Sequence, residues 1–260
     1  MNKRANAFTL IELLVVIAII ALLLAILTPS LNMAKEHAKR AVCLAHTHGL
    51  GIAWVLYAEE NDSKIVSAKT ARVQEVSTGV FQMVLNAYHD DPSWAGWWDG
   101  AQDNVNAHEA CITLGALYPY TESIKVYRCP VGDRNQWRTS AIVDSMNGHW
   151  DFPGFAAPVV RKLNDLKSPG TRMVFIDEGY ASTESWTIWP NRIQWWDGVP
   201  LRHGEGTTVG LADNSAEYWK WEDRKTIEFA EGRMDSVLAA QNNPDFDKIQ
   251  RAVWTLKHRP

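Results

Sequence analysis

Cysteine is scarce in this chain. Three in 260 residues are too few for a disulfide-dense scaffold. No charge of one sign dominates either, with 26 basic against 30 acidic side chains and a net charge of −4. That balance excludes a polybasic nucleic-acid binder, so no nucleic-acid partner is expected. Three catalytic signatures are missing: the G-x-S-x-G nucleophile elbow, a phosphate-cradling glycine-rich loop and H-E-x-x-H. His46 and His48 do not make up for the last of these, because residues two apart on a helix do not share a face. No enzymatic activity is therefore expected. Repeats and low-complexity tracts are absent as well. The apolar fraction of 46% against 22% charged excludes a disordered chain. The length allows one sizeable core plus one non-globular element.

The apolar residues are unevenly spread. From Phe8 to Leu27 the chain reads FTLIELLVVIAIIALLLAIL, broken only by Thr9 and Glu12. Twenty residues of helix span about 30 Å, the thickness of a bilayer's hydrocarbon core. A soluble domain rarely buries a helix that is apolar all round. Lys3 and Arg4 precede the run, which keeps the extreme N-terminus cytoplasmic and places the bulk outside. A cleaved secretory signal is the rival reading. Against it, the run is long and ends in Thr28-Pro29-Ser30-Leu31 without a small-x-small cleavage site. Glu12 is the other feature against it. A carboxylate inside a span costs roughly 2.5–3.5 kcal/mol on insertion scales, so a partner is expected, such as an amine at similar depth on a neighbouring subunit.

Residues Ala7 to Ala21, AFTLIELLVVIAIIA, resemble the class III signal of type IV pilins and type II secretion pseudopilins. The resemblance implies that a prepilin peptidase cuts between Ala7 and Phe8, that the new N-terminal Phe8 is methylated, and that the helix stays attached. It also implies that Glu12 is the assembly carboxylate, pairing with the amine of an adjacent subunit, and that Pro29 is the helix-kinking proline. Ala7 stands where the family has Gly, which implies slower processing.

After Pro29, apolar residues recur at Leu31, Ala34, Ala38, Ala41, Val42 and Ala45, then at Ile52, Val55 and Leu56. That is helical spacing with one buried face, and it predicts a helix ending near Glu59–Asp62. Gly49 and Gly51 weaken its middle by about 1 kcal/mol each relative to Ala. Residues 63–125 read as short mixed elements, with a stop at Pro119. The stretch from Tyr127 to Pro158 reads as a surface loop excursion. Arg172–Asp177 reads as a buried strand. Thr207–Ala212 and Ser215–Trp221 flank Asp213-Asn214 as a hairpin. Asn243-Pro244 starts a final helix running to about Leu256.

Arg202-His203, nine residues, then Asp213-Asn214 is similar to the His-x9-Asp-Gly domain at the C-terminus of many large prepilin-like proteins. Those proteins also tend to carry a helix cysteine, a Cys-Pro and a Ser-Pro-Gly strand entry, matched here by Cys43, Cys129-Pro130 and Ser168-Pro169-Gly170. Asn214 replaces the family's Gly. His203 and Asp213 either hydrogen-bond and lock the turn or contribute to a metal or ligand site. Cys43 and Cys129 would both lie outside the cytoplasm, where a helix-to-loop disulfide is a candidate, leaving a buried Cys111.

Tryptophan is the compositional outlier at 13 residues. The clusters at Trp94, Trp97 and Trp98 and at Trp195 and Trp196 either pack the core or offer faces to a glycan or protein. Asp177-Glu178 and His89-Asp90-Asp91 have the oxygen chemistry of a calcium site without its ligand spacing, which favours solvated carboxylates. No cofactor is expected, with calcium the one candidate.

The expected fold class is α+β and pilin-like: a long N-terminal helix packed on an antiparallel β-sheet domain with long loops. Its parts are a leader over 1–7, a transmembrane and assembly helix over 8–29, a soluble helix half over 30–62 and an exported globular domain over 63–260. The His-x9-Asp-Gly-like hairpin lies at 203–214. The resemblance implies a pseudopilin-like subunit of the bacterial inner membrane, single-pass, with its globular domain in the periplasm. It would assemble with itself and other pseudopilins to support protein export. Its further partners would be prepilin peptidase, membrane lipid and the inner-membrane components of a secretion system. The alternative is a membrane-anchored extracytoplasmic module that binds glycan or protein through the tryptophans.

Overall fold

The computed structural model describes residues 10–84, 91–100, 104–133, 136–148, 158–178 and 184–254. The processing pair Ala7 and Phe8, and His89 with Asp90, lie outside the described residues. The chain divides into two compact units, Met1–Lys39 and Arg40–Pro260.

Helix α1 spans Leu10–Glu60 and so contributes to both units. In the first unit its leucines, isoleucines and valines lie exposed. It is long and apolar enough to cross a membrane, by length and composition. A helix satisfies its backbone internally, which is what an apolar solvent demands. Pro29 lies inside α1 without ending it. Its missing N–H leaves the Ala25 carbonyl without the usual donor. On either side, Thr28 Oγ1 donates to the Leu24 carbonyl at 2.7 Å and Ser30 Oγ to the Ile26 carbonyl at 3.4 Å.

In the second unit α1 buries Cys43, Thr47, Leu50, Gly51, Trp54, Tyr57 and Ala58, the three-to-four spacing of a single face. The helix ends where Asp62 and Ser63 take positive φ values of 53° and 65° and turn the chain back. Strands β1 (Ala71–Ser77) and β2 (Val80–Val84) form an antiparallel hairpin across Gly79, and the short β3 (Gly96–Trp97) adds to β1 in parallel. Helix α2 (Val105–Thr113) starts at Asn104, whose side chain accepts from the Ala107 N–H at 3.1 Å. Its Ala110 and Cys111 pack on Val73 of β1. The stop expected at Pro119 is corrected. Proline fits the first turn of a helix, whose N–H groups lack partners anyway, and here it opens α3 (Tyr118–Thr121).

The main sheet runs β4 (Ser140–Ile142), β5 (Met173–Asp177), β6 (Gly206–Leu211) and β7 (Ala216–Lys220), every pair antiparallel. All residues of β4, β5 and β6 are buried, so these strands read as apolar or small runs without alternation. The surface loop expected over 127–158 is therefore partly wrong. Ser140 to Asn147 is buried, and its Asp, Ser and Asn side chains are interior rather than loop polar groups. The expected hairpin is present, and Asn214 takes φ 71° at its turn. Helices α4 (Arg224–Ala230), α5 (Ser236–Ala240) and α6 (Pro244–Val253) follow, capped by the side chains of Asp223, Asp235 and Asn243.

One core cluster joins Leu50 and Trp54 of α1 to Phe175 of β5, Val209 of β6 and Phe246 of α6. The class is α+β, a long apolar N-terminal helix with an antiparallel sheet domain, as the sequence predicts.

Candidate functional site

Two places gather chemistry. In the first unit, Glu12 lies in the first turn of α1, the one acidic residue there, among exposed apolar neighbours.

The other place is buried, where α1 crosses the main sheet. Cys43 projects from α1, Cys129 follows the short 3₁₀ turn Ile124–Tyr127, and His203 stands in the turn before β6. Their exposures are 3%, 2% and 8%, and one ligand atom from each lies within 4.8 Å of the others. The local sequence explains each placement. Cys129 is held by its N–H, which donates to Thr139 Oγ1 at 2.8 Å, and by a turn in which the Gly132 N–H donates to its carbonyl at 2.9 Å. His203 and Gly204 both take left-handed φ values, 51° and 96°, and Arg202 N–H closes the turn on the Gly206 carbonyl at 2.7 Å. Tyr218 OH donates to the His203 carbonyl at 3.2 Å.

Within the cluster, His203 Nε2 lies 3.1 Å from Cys129 Sγ. Cys43 Sγ lies 3.2 Å from Thr208 Oγ1 and 3.9 Å from Asp177 Oδ2. A hydrogen bond to Cys43, then burial, pushes the Cys129 thiol well above the ordinary thiol range.

Several expectations need correction. Cys43 and Cys129 do meet, but as free buried thiols beside an imidazole rather than as a disulfide. His203 and Asp213 do not meet: they sit at opposite ends of β6. Asp213 instead accepts from the Ser215 N–H at 3.0 Å and Oγ at 2.6 Å, and these bonds lower its pKa. Asp177 and Glu178 are interior, not solvated loop carboxylates. Glu178 pairs with Arg138 at 3.1 Å, with side-chain exposures of 0% and 4%, and Asp177 Oδ1 lies 3.8 Å from Arg202 Nε. Trp195 is buried, stacked on Phe229 and edge-on to Phe246, so it offers no face to a ligand. Trp97, Trp98 and Trp196 are half-buried, with Trp98 edge-on to Phe81 and Trp196 edge-on to Trp189. His46 and His48 reach different partners, the Arg128 carbonyl at 3.1 Å and the Asn214 carbonyl at 2.7 Å.

Two neighbouring acids, the buried Asp144 and the half-buried Asp197, were not singled out by the sequence. Asp144 Oδ1 accepts from Ser185 Oγ at 2.7 Å, and Asp197 Oδ2 accepts from the Thr187 N–H at 2.6 Å. Burial pushes both carboxyls up to about 7. Nothing in the spacing of two acids 53 positions apart could have paired them.

The prokaryotic N-terminal methylation motif matches residues 2–28. The chain is 43% identical over 61 residues to the type IV wide pilus major component PilA4 of Thermus thermophilus. The aligned stretch is 24% of this chain and 47% of that protein, so the chain spans about half the length of the curated relative it matches. No solved structure matches.

Proposed function

We propose that this chain, type IV pilin-like by its N-terminal segment, is a membrane-anchored subunit of a pilus-like filament. The methylation motif over residues 2–28, on a helix whose apolar side chains lie exposed among the described residues, carries the reading. Such a surface needs lipid or other copies of itself, and a filament supplies the second after the membrane supplies the first. The motif supports cleavage between Ala7 and Phe8 by a prepilin peptidase and methylation of Phe8. Mass spectrometry of the mature N-terminus tests that step, and an uncut chain starting at Met1 would refute it.

Assembly turns on Glu12. A carboxylate in hydrocarbon is costly, and an amine of a neighbouring subunit at the same depth offsets that cost and fixes the register. Glu12→Ala is expected to insert normally and to fail in assembly. Fractionation shows the first, and crosslinking through α1 in the membrane shows the second. Normal incorporation of the variant would sink the mechanism. In this reading the filament belongs to a type II secretion-like machine, and the Arg40–Pro260 unit lies in the periplasm. Its work is mechanical support of protein export, with other pseudopilins, membrane lipid and the inner-membrane components of the secretion system as partners.

A further inference from the structure

Three metal-competent side chains converge from positions 43, 129 and 203, on a helix, a Cys-Pro loop and a pre-strand turn. All three are more than nine-tenths buried. The two sulfurs and one imidazole nitrogen lie within 4.8 Å of one another. In tetrahedral zinc sites, Zn–S of about 2.3 Å and Zn–N of about 2.0–2.1 Å put ligand atoms about 3.5–3.8 Å apart. The cluster therefore needs only side-chain adjustment to close on an ion. The ring's second nitrogen, His203 Nδ1, is buried without a hydrogen-bond partner, so no competing network holds the imidazole.

We propose that Cys43, Cys129 and His203 bind one zinc ion, which ties α1 to the Cys-Pro loop and to the start of β6. Thiolate and imidazole donors select zinc over calcium or magnesium, which take oxygen. The charge count suits the interior. Binding converts two thiols to thiolates and releases two protons to solvent, so the dication and two thiolates sum to zero. Asp177 borders the cluster without belonging to its three mutually close donors: its Oδ2 lies 3.9 Å from Cys43 Sγ and its Oδ1 3.8 Å from Arg202 Nε. A fourth donor would have to move in, and if Asp177 did so the site would carry one negative charge beside Arg202. A disulfide between the same cysteines would use two of the three donors and leave the imidazole without a role.

The role is structural. Of the three ligands, Cys43 belongs to α1 and His203 to the turn leading into the main sheet, so the ion would clamp this helix onto that sheet. The site lies wholly within the Arg40–Pro260 unit, so its test does not depend on filament assembly.

The experiment uses the full chain, purified in detergent under reducing conditions and dialysed against metal-free buffer. Elemental analysis is expected to find about one zinc per chain. Cys43→Ser, Cys129→Ser and His203→Ala are each expected to lower zinc affinity more than about tenfold. Cys111→Ser, whose thiol packs on Val73 elsewhere, is expected to keep the metal. Because a ligand variant can fail to fold, the unaltered chain is also reconstituted with cobalt. A thiolate-to-cobalt charge-transfer absorption and tetrahedral ligand-field bands are expected. Metal-free protein with three reactive thiols would overturn the proposal. So would a Cys43–Cys129 disulfide in non-reducing peptide maps, or full zinc retention by the His203→Ala variant.

Discussion

Leu22 and Leu50 lie on one helix, yet Leu22 is 64% exposed and Leu50 is fully buried. The side chain is the same and the backbone is the same. What differs is where the partner comes from. Around Leu50 the chain folds back and supplies Phe175, Val209 and Phe246 in the same core. Around Leu22 no part of the described chain does so, and the surface is left for something outside the polypeptide. A helix can therefore be built for two solvents at once, with propensity and spacing setting its length and the surrounding chain deciding which face is finished.

The sharpest way to break this contrast is to damage one region and watch the other. Glu178 and Arg138 form a buried ion pair, and Arg138 also lies over the Trp94 ring at 5.1 Å. Glu178→Ala strands a buried guanidinium and is expected to cost about 3–5 kcal/mol. Leu50→Ala opens a cavity in the core and is expected to cost about 2–5 kcal/mol. Leu22→Ala is expected to change the stability of the Arg40–Pro260 unit by less than about 0.5 kcal/mol. Denaturant melts of the full chain in detergent, followed by tryptophan fluorescence, measure all three. A Leu22→Ala effect as large as that of Leu50→Ala would erase the distinction.

The second test uses pH. Asp144 and Asp197 titrate near 7 in the folded chain because burial disfavours their charged forms. Lys69, Glu184 and Asp197 act on Asp144 electrostatically, the first lowering and the other two raising its pKa. The folded state holds protons that the unfolded chain releases near pH 4, so stability falls as pH rises from about 4 to about 7 and then levels. The expected loss is confined to the second unit. Asp144→Asn keeps the shape and should flatten the slope. A melting temperature that stays level or rises from about pH 5 to about pH 8 would refute the assignment.

Much of the first unit was legible in the sequence, because an unbroken apolar run has few physical readings and its length matches a bilayer. The hairpin at Asn214 and the cap at Asn243 were legible for a similar reason: turn and cap chemistry is local. The cysteine–histidine cluster was only half legible. Positions 43 and 129 could be paired on compartment grounds, but His203 was matched to Asp213 by a sequence spacing, and a six-residue strand holds those two apart. Strand β4 and the buried stretch after it were missed because Asp144, Ser145 and Asn147, which follow the strand, look like loop residues until tertiary partners such as Ser185 are in place. Burial of polar groups depends on the fold, and no local pattern records it.

The smallest expected effect concerns two glycines two residues apart on α1. A Cβ on Gly49 would meet nothing, whereas a Cβ on Gly51 would run into the Asn214 side chain at the β6–β7 turn. Gly49→Ala should therefore stabilise the second unit by about 0.5–1 kcal/mol, the ordinary gain in helix propensity. Gly51→Ala makes the same gain and loses it by displacing Asn214, whose carbonyl also receives His48 at 2.7 Å, so the net expectation is a loss of about 1 kcal/mol. The conflict is removable. Asn214 has φ 71°, a value glycine adopts freely, so Asn214→Gly takes away the obstructing side chain without straining the turn. The pair Gly51→Ala with Asn214→Gly should recover most of the loss, and a double-mutant cycle measures the coupling. If the two substitutions proved additive, the close approach of helix and hairpin would not be what requires glycine at position 51.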